Sequence, residues 1–293
     1  MIVGSGDFKY ERVEGWARVP EYFDLSDPVD IATDSRDRVY VGSRGNHPIL
    51  IFDREGNFVS CWGEGHFLDP HGLFIGSDDT IYIADARTHT VEKRTLGGEP
   101  LLTLGTRFRA MPIMVRAPFN QPTSVVLGPG GEIFVTDGYG NYLVHKFTPE
   151  GELLKTWGEH GNGPGQFELP HKLDMDKYGR LYICDRNNDR IQIFDLDGEF
   201  IEMWTDCVWP QDICIDRKND LAYVVESHMH QISLPRVTVR DLKGNVLSEF
   251  GGYEHEGKGV LENSHTICVD SRGDIYIGDI VKVKRLMKFA RVS

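Results

Sequence analysis

The sequence predicts an all-β fold, a six-bladed β-propeller, on three observations. A frame of four short strands, alternating in apolar and polar residues and separated by Gly, Asp and Asn turns, recurs along the chain. Its spacing is close to the roughly 40 to 50 residues of a propeller blade. The last copy lacks a fourth strand, and the N-terminus holds a segment of the right character to supply it.

The frame is clearest in residues 169–204. Strand a is Pro170-His171-Lys172-Leu173-Asp174-Met175, followed by a turn at Lys177-Tyr178-Gly179 and strand b, Arg180-Leu181-Tyr182-Ile183-Cys184-Asp185. The loop Arg186-Asn187-Asn188-Asp189 leads to strand c, Arg190-Ile191-Gln192-Ile193-Phe194. A turn at Asp195-Leu196-Asp197-Gly198 precedes strand d, Phe200-Ile201-Glu202-Met203-Trp204. This unit is blade four. Blades one, two, three and five fall at 28–62, 70–104, 122–157 and 210–250, and the sixth, 264–292, stops after strand c. The stretch from Phe8 to Trp16 resembles the d strands that end in Trp62, Trp157 and Trp204, so the N-terminal strand is expected to complete the last blade and close the ring. Residues 1–293 read as one propeller domain. Two inserts before strand a, at 107–120 and 253–262, are expected at the mouth of the central channel.

Composition narrows the function. With 40% hydrophobic residues, 26% charged residues and a net charge of −13, the chain is globular and acidic, which disfavours nucleic acid or an anionic membrane as partner and favours a small-molecule or protein partner. The N-terminus has no basic segment leading into an apolar core, and no apolar run is long enough to span a bilayer, so a cytoplasmic protein is expected. Five cysteines at scattered positions read as free thiols in a reducing compartment.

The chemistry gathers at the starts of strand a. Pro70-His71-Gly72-Leu73, Pro170-His171-Lys172-Leu173 and Ser264-His265-Thr266-Ile267 place a histidine at the same register in alternate blades. Strand a is the innermost strand, so the three side chains form a triangle around the axis. Three neutral imidazoles with an open fourth position describe a catalytic site for zinc or another divalent transition metal. The b-to-c loops open on the same face and bring Arg44, Tyr139 and Arg186, an anion-binding pair and a phenol that loses its proton more readily beside a divalent cation. His228 and His230, in the long loop of blade five, are candidates for substrate binding. His47, His66, His89, His145, His160 and His255 share no register and read as surface or loop residues.

These strings resemble a known family. Asp69-Pro70-His71-Gly72-Leu73, Asn120-Gln121-Pro122-Thr123-Ser124-Val125, Val135-Thr136-Asp137-Gly138-Tyr139 and Asp185-Arg186-Asn187-Asn188-Asp189-Arg190-Ile191-Gln192 look like NHL-type propeller repeats of the peptidyl-α-hydroxyglycine α-amidating lyases. The resemblance implies zinc on His71, His171 and His265, Tyr139 as base, and Arg44 and Arg186 around the substrate. The implied reaction cleaves the C–N bond of a carbinolamide, N–CH(OH)–COOH, to an amide and glyoxylate. The third corner departs from the family. Asn263-Ser264 replaces a Met-Pro pair, which makes Asn263 a further candidate for substrate contact. Thr266 stands where an aspartate helps to hold a structural calcium, and this puts the calcium in question. The expected activity is a metal-dependent lyase on a small-molecule substrate that carries a carboxylate or another polar group. The alternatives are a hydrolase, lactonase or hydratase using the same metal, and a non-catalytic NHL binding module.

Overall fold

In a computed structural model, which describes residues 1–23, 25–227, 233–254 and 260–292, the strands form six antiparallel sheets with essentially no helix. Strand a of each blade (Pro28–Thr33, Pro70–Ile75, Ser124–Leu127, Pro170–Met175, Pro210–Asp216 and Ser264–Val269) touches its two counterparts in the neighbouring blades, so these six strands line the axis. The all-β, six-bladed expectation holds, with the blades where the repeat places them. No helix among the described residues is long and apolar enough to cross a membrane.

The sixth blade is completed as its sequence requires. Phe8–Val13 pairs antiparallel with Arg285–Val292, Tyr10 lying opposite Arg291. One strand goes beyond the frame: Ile2–Ser5 folds back on Phe8–Val13 as a fifth member of that sheet, and the Ser5 amide donates to Ser248 Oγ of blade five at 2.8 Å.

The core is divided among the interfaces between blades. Between blades three and four, for example, Phe134, Val144 and Trp157 pack against Leu173, Leu181, Ile183 and Phe194. The tryptophan at the end of strand d explains itself here. Trp157 lies over Gly198 in the c-to-d turn of blade four; φ at Gly198 is 73°, and a Cβ there would sit 2.7 Å from the indole. Glycine is therefore needed for both its backbone and its missing side chain. Trp62 covers Gly98, Trp204 covers Gly244, and Trp16 covers Gly56 across the closure. Trp16 lies beyond its strand yet is buried beside Phe52 and Tyr276, and its Nε1 donates to the Arg54 carbonyl at 2.9 Å.

A second recurring device sets the chain at the entry to strand a. Strand b ends in a carboxylate that accepts from it: Asp85 from the Leu68 amide at 2.7 Å, Asp185 from the Glu168 amide at 2.9 Å, and Asp279 from Ser264 Oγ at 2.6 Å. All five cysteines are free. His145 corrects the sequence reading. It is fully buried, with Nδ1 2.9 Å from Thr156 Oγ1 and Nε2 3.6 Å from Asp137, because Phe119 of the first insert folds over it edge to face. That insert is anchored to Asn141 by Met114 and to Thr156 by Arg116.

Candidate active site

His71, His171 and His265 are each the second residue of strand a, and each is the extra residue of a β-bulge. In blade two Pro70 pairs with Asp85 and Gly72 with Ala84, leaving His71 unpaired; His171 and His265 are skipped in the same way. A bulge frees the side chain from the up-and-down alternation of the strand and re-aims it. Here all three imidazoles turn towards one another, with ring centroids 4.8 to 4.9 Å apart.

Their tautomers are set by the neighbouring blades. His71 Nδ1 lies 2.7 Å from the Thr123 carbonyl, His171 Nδ1 2.6 Å from that of Gln211, and His265 Nδ1 2.9 Å from that of Val29. A carbonyl only accepts, so each Nδ1 carries the proton and each Nε2 presents its lone pair. The three ligand atoms lie within 4.8 Å of one another. Burial, reinforced for each ring by nearby cationic side chains, holds all three well below the usual histidine pKa, so they are neutral.

Tyr139 reaches the triad from the b-to-c loop of blade three. Its hydroxyl is 2.8 Å from His71 Nε2 and 3.0 Å from His171 Nε2, whereas His265 Nε2 is buried with no hydrogen-bond partner among the described residues. A buried acceptor left alone is costly. Three neutral nitrogen donors, one of them orphaned, fit a borderline transition metal such as Zn²⁺ with one coordination position left open.

Two guanidinium groups flank the phenol. Arg44 Nε donates to Asp69 Oδ1 at 2.9 Å, and Arg186 Nη1 to Gln211 Oε1 at 3.3 Å, with Arg186 Cζ 5.8 Å from the Tyr139 ring centroid and 5.2 Å from that of Trp209. Burial pulls Arg186 down from the usual arginine value, against the opposing pull of Tyr139. For Arg44 burial is outweighed by Asp69 and Tyr139, and its pKa is raised. Arg44 is paired with Asp69 and, at 4.0 Å, with Asp27, whereas Arg186 has no carboxylate partner among the described residues and is the group suited to a substrate carboxylate.

One residue further along strand a, in blades one, four, five and six, lies a second polar layer. Lys172 is buried, with Nζ 2.6 Å from Asp30 Oδ2 and donating to the His71 carbonyl at 2.7 Å. Thr266 Oγ1 donates to Asp30 at 2.9 Å. Asp212 accepts from the Ile267 amide, and burial pushes it up to about 7 against the attraction of Lys172.

The sequence-predicted residues thus separate clearly. The structure brings His71, His171, His265, Tyr139, Arg44 and Arg186 into one constellation. Asn263 is buried beside His265, with its Oδ1 unpartnered among the described residues and its carbonyl accepting from the Ile280 amide. His228 and His230 lie outside the described residues. Sequence reasoning missed the carbonyl braces, the Lys172 cation, Trp209 and the Asp69 partner of Arg44. Lys172 was the most findable, since a lysine directly after a channel histidine has nowhere to go but inward.

The comparisons agree with the fold. A family model described as 6-bladed beta-propeller (DUF5128) matches residues 121–280. NHL repeat-containing protein 3 of Homo sapiens is 34% identical over 212 residues, 68% of this chain and 60% of that protein; the chain thus spans about three fifths of that relative. A probable peptidyl-alpha-hydroxyglycine alpha-amidating lyase of Caenorhabditis elegans is 28% identical over 252 residues, covering 82% of this chain and 69% of that protein. Among solved structures a streptogramin B lyase superposes with a TM-score of 0.63 at 15% identity, over 97% of this chain and 88% of that one, a likeness of fold alone. With its six closed blades and the match over more than half its length, the chain belongs to this six-bladed β-propeller family and is homologous to NHL-repeat proteins and amidating lyases.

Proposed function

We propose that the protein is a metal-dependent lyase that cleaves the C–N bond of a small carbinolamide, N–CH(OH)–COO⁻, to an amide and glyoxylate. One observation carries the reading: three buried, neutral histidines each spend Nδ1 on a backbone carbonyl and point Nε2 at a shared centre beside Tyr139. The likeness to a protein named as an amidating lyase supports it.

His71, His171 and His265 would hold the ion, zinc or another divalent transition metal. When bound, such an ion supplies Lewis acidity to a substrate hydroxyl. Tyr139, as its phenolate, would be the base for that hydroxyl, taking its proton as the electrons of the C–N bond leave with nitrogen. The proton then passes to the departing nitrogen, so that one molecule becomes two with no co-reactant. Arg44 and Arg186 orient the substrate by its carboxylate. Lys172 already places a positive charge against Asp30 below the triad, which supports a channel neutralised by a built-in ammonium rather than by structural calcium.

Metal analysis of the protein beside His171→Ala tests the centre. The variant should lose one equivalent of transition metal; less than about a tenth of an equivalent in the parent protein, purified without chelator, removes the reading. Turnover is measured with an N-acyl-α-hydroxyglycine by release of glyoxylate, and Tyr139→Phe should abolish it while keeping the metal. An inert carbinolamide with hydrolysis of a lactone by the same sample would reassign the metal to hydrolysis.

A further inference from the structure

We infer that blade one carries a second site for a zinc-class ion, built from His47, Cys61 and Glu64 and separate from the histidine triad. His47 lies in the b-to-c loop between Val39–Ser43 and Ile49–Phe52, Cys61 is the penultimate residue of Phe58–Trp62, and Glu64 follows two residues after that strand ends. The register sets Leu50 opposite Cys61 and Ile49 opposite Trp62, so the loop that carries His47 turns directly above the end of strand d.

The donor atoms are already gathered. His47 Nδ1 is 3.0 Å from Glu64 Oε1, Cys61 Sγ is 3.2 Å from the same oxygen, and Sγ is 3.7 Å from Nδ1. In a tetrahedral site with metal–ligand bonds of about 2.0 to 2.3 Å, donors stand roughly 3.4 to 3.6 Å apart, so each of the three separations needs to change by less than about half an ångström. Phe23 packs on the His47 ring at a centroid distance of 4.0 Å and covers one side of it. His47 and Glu64 remain partly exposed, so an ion can enter.

A thiol, an imidazole and a carboxylate form a borderline-soft donor set. It suits Zn²⁺ or Co²⁺ and is poor for Mg²⁺ or Ca²⁺, which take oxygen ligands. Without an ion, Cys61 keeps its proton: burial and the adjacent Glu64 push the thiol up to about 11. An incoming cation displaces that proton from sulfur and takes its place beside Glu64 and His47, so one proton is released for each ion bound and affinity rises with pH. Three protein ligands leave a fourth position for water or a small donor.

The test exploits one chemical difference between the two centres: the triad contains no sulfur. Metal-free protein kept reduced with a phosphine is titrated with Co²⁺. Thiolate ligation gives a near-ultraviolet charge-transfer band that three imidazoles cannot produce. The band should appear in the parent protein and in His171→Ala, vanish in Cys61→Ser, and weaken in His47→Ala and Glu64→Gln, while the visible bands of the triad persist in Cys61→Ser. Absence of the band from the parent protein, or its persistence in Cys61→Ser, overturns the site. Lyase turnover in Cys61→Ser should match the parent. Loss of the triad's visible bands alone would count against the triad and leave this site standing.

Discussion

The even-numbered and odd-numbered blades use the same backbone position for opposite purposes. In blades two, four and six it carries His71, His171 and His265, whose side chains turn to the axis. In blades three, five and one it is Thr123, Gln211 and Val29, which contribute their carbonyls to hold those rings. A sixfold scaffold thereby becomes a threefold centre, each corner built by two blades. The even set is chosen by side chain and the odd set by main chain, so substitution should have different consequences in the two sets.

The largest effect should come from breaking the sixth, even blade. Deleting residues 1–18 removes the strand on Arg285–Val292 and takes Tyr10 and Trp16 out of two interfaces. Losing a buried aromatic costs about 3 to 5 kcal/mol, so losing two consumes much of the roughly 5 to 15 kcal/mol that holds a typical domain together. The truncated protein should show no cooperative urea transition. A midpoint equal to that of the full chain would mean that the N-terminal strand does not close the ring.

Next in size, the carboxylates that end strand b sharpen the comparison. Asp185 accepts from the chain ahead of His171 and pairs with Arg190 at 2.8 Å, whereas Asp137, in odd blade three, holds the Asn120 amide. Asp185→Asn breaks a buried ion pair, at about 3 to 5 kcal/mol, and misplaces a ligand, which should lower metal affinity roughly 10- to 100-fold. Asp137→Asn should lower the unfolding midpoint and cost less metal affinity than Asp185→Asn, because it acts on the chain that carries a carbonyl brace rather than on a ligand. Equal losses of affinity in the two variants would show that the even blades have no privileged role.

Acid should weaken the metal-free protein in part through the three histidines of the even set. Burial holds the three histidines well below their unfolded value, so below about pH 6.5 the unfolded chain takes up protons that the folded one refuses. Stability is complete above that pH and falls as pH drops, by up to about 1.4 kcal/mol per pH unit for each histidine. His171→Ala should reduce the slope of midpoint against pH between about pH 5 and 6.5; an unchanged slope would mean that the rings are already charged in the fold.

This asymmetry also explains what was legible. The blades, their turns and the closure could be read because each uses a residue type: a period of two, an Asp or Gly turn, a terminal Trp. His71, His171, His265, Tyr139, Arg44 and Arg186 could be read because side chains act there. The braces were invisible, since a carbonyl belongs to every residue and Val29, Thr123 and Gln211 have nothing else in common. His145 was misread because its burial depends on Phe119, from an insert outside the repeat. The cluster of His47 with Cys61 and Glu64 follows from strand register, which no local pattern announces.

Thr123 and Val29 allow the finest test, because both brace a histidine by carbonyl but only one also acts through its side chain. Thr123 Oγ1 donates to the Pro170 carbonyl at 2.9 Å, beside His171, so Thr123→Val leaves a buried acceptor unmatched, at about 1 to 3 kcal/mol. By disturbing the His171 corner it should also weaken metal binding, up to about tenfold. Val29 is fully buried and apolar, and Val29→Ala should cost about 2 kcal/mol from lost packing while the carbonyl stays in place for His265. Stability should therefore fall by similar amounts in the two variants, as measured by urea unfolding. Metal affinity, measured by competition with a chromophoric chelator, should fall only in Thr123→Val. A matching loss of affinity in Val29→Ala would place the brace in the packing of the odd side chain rather than in its carbonyl.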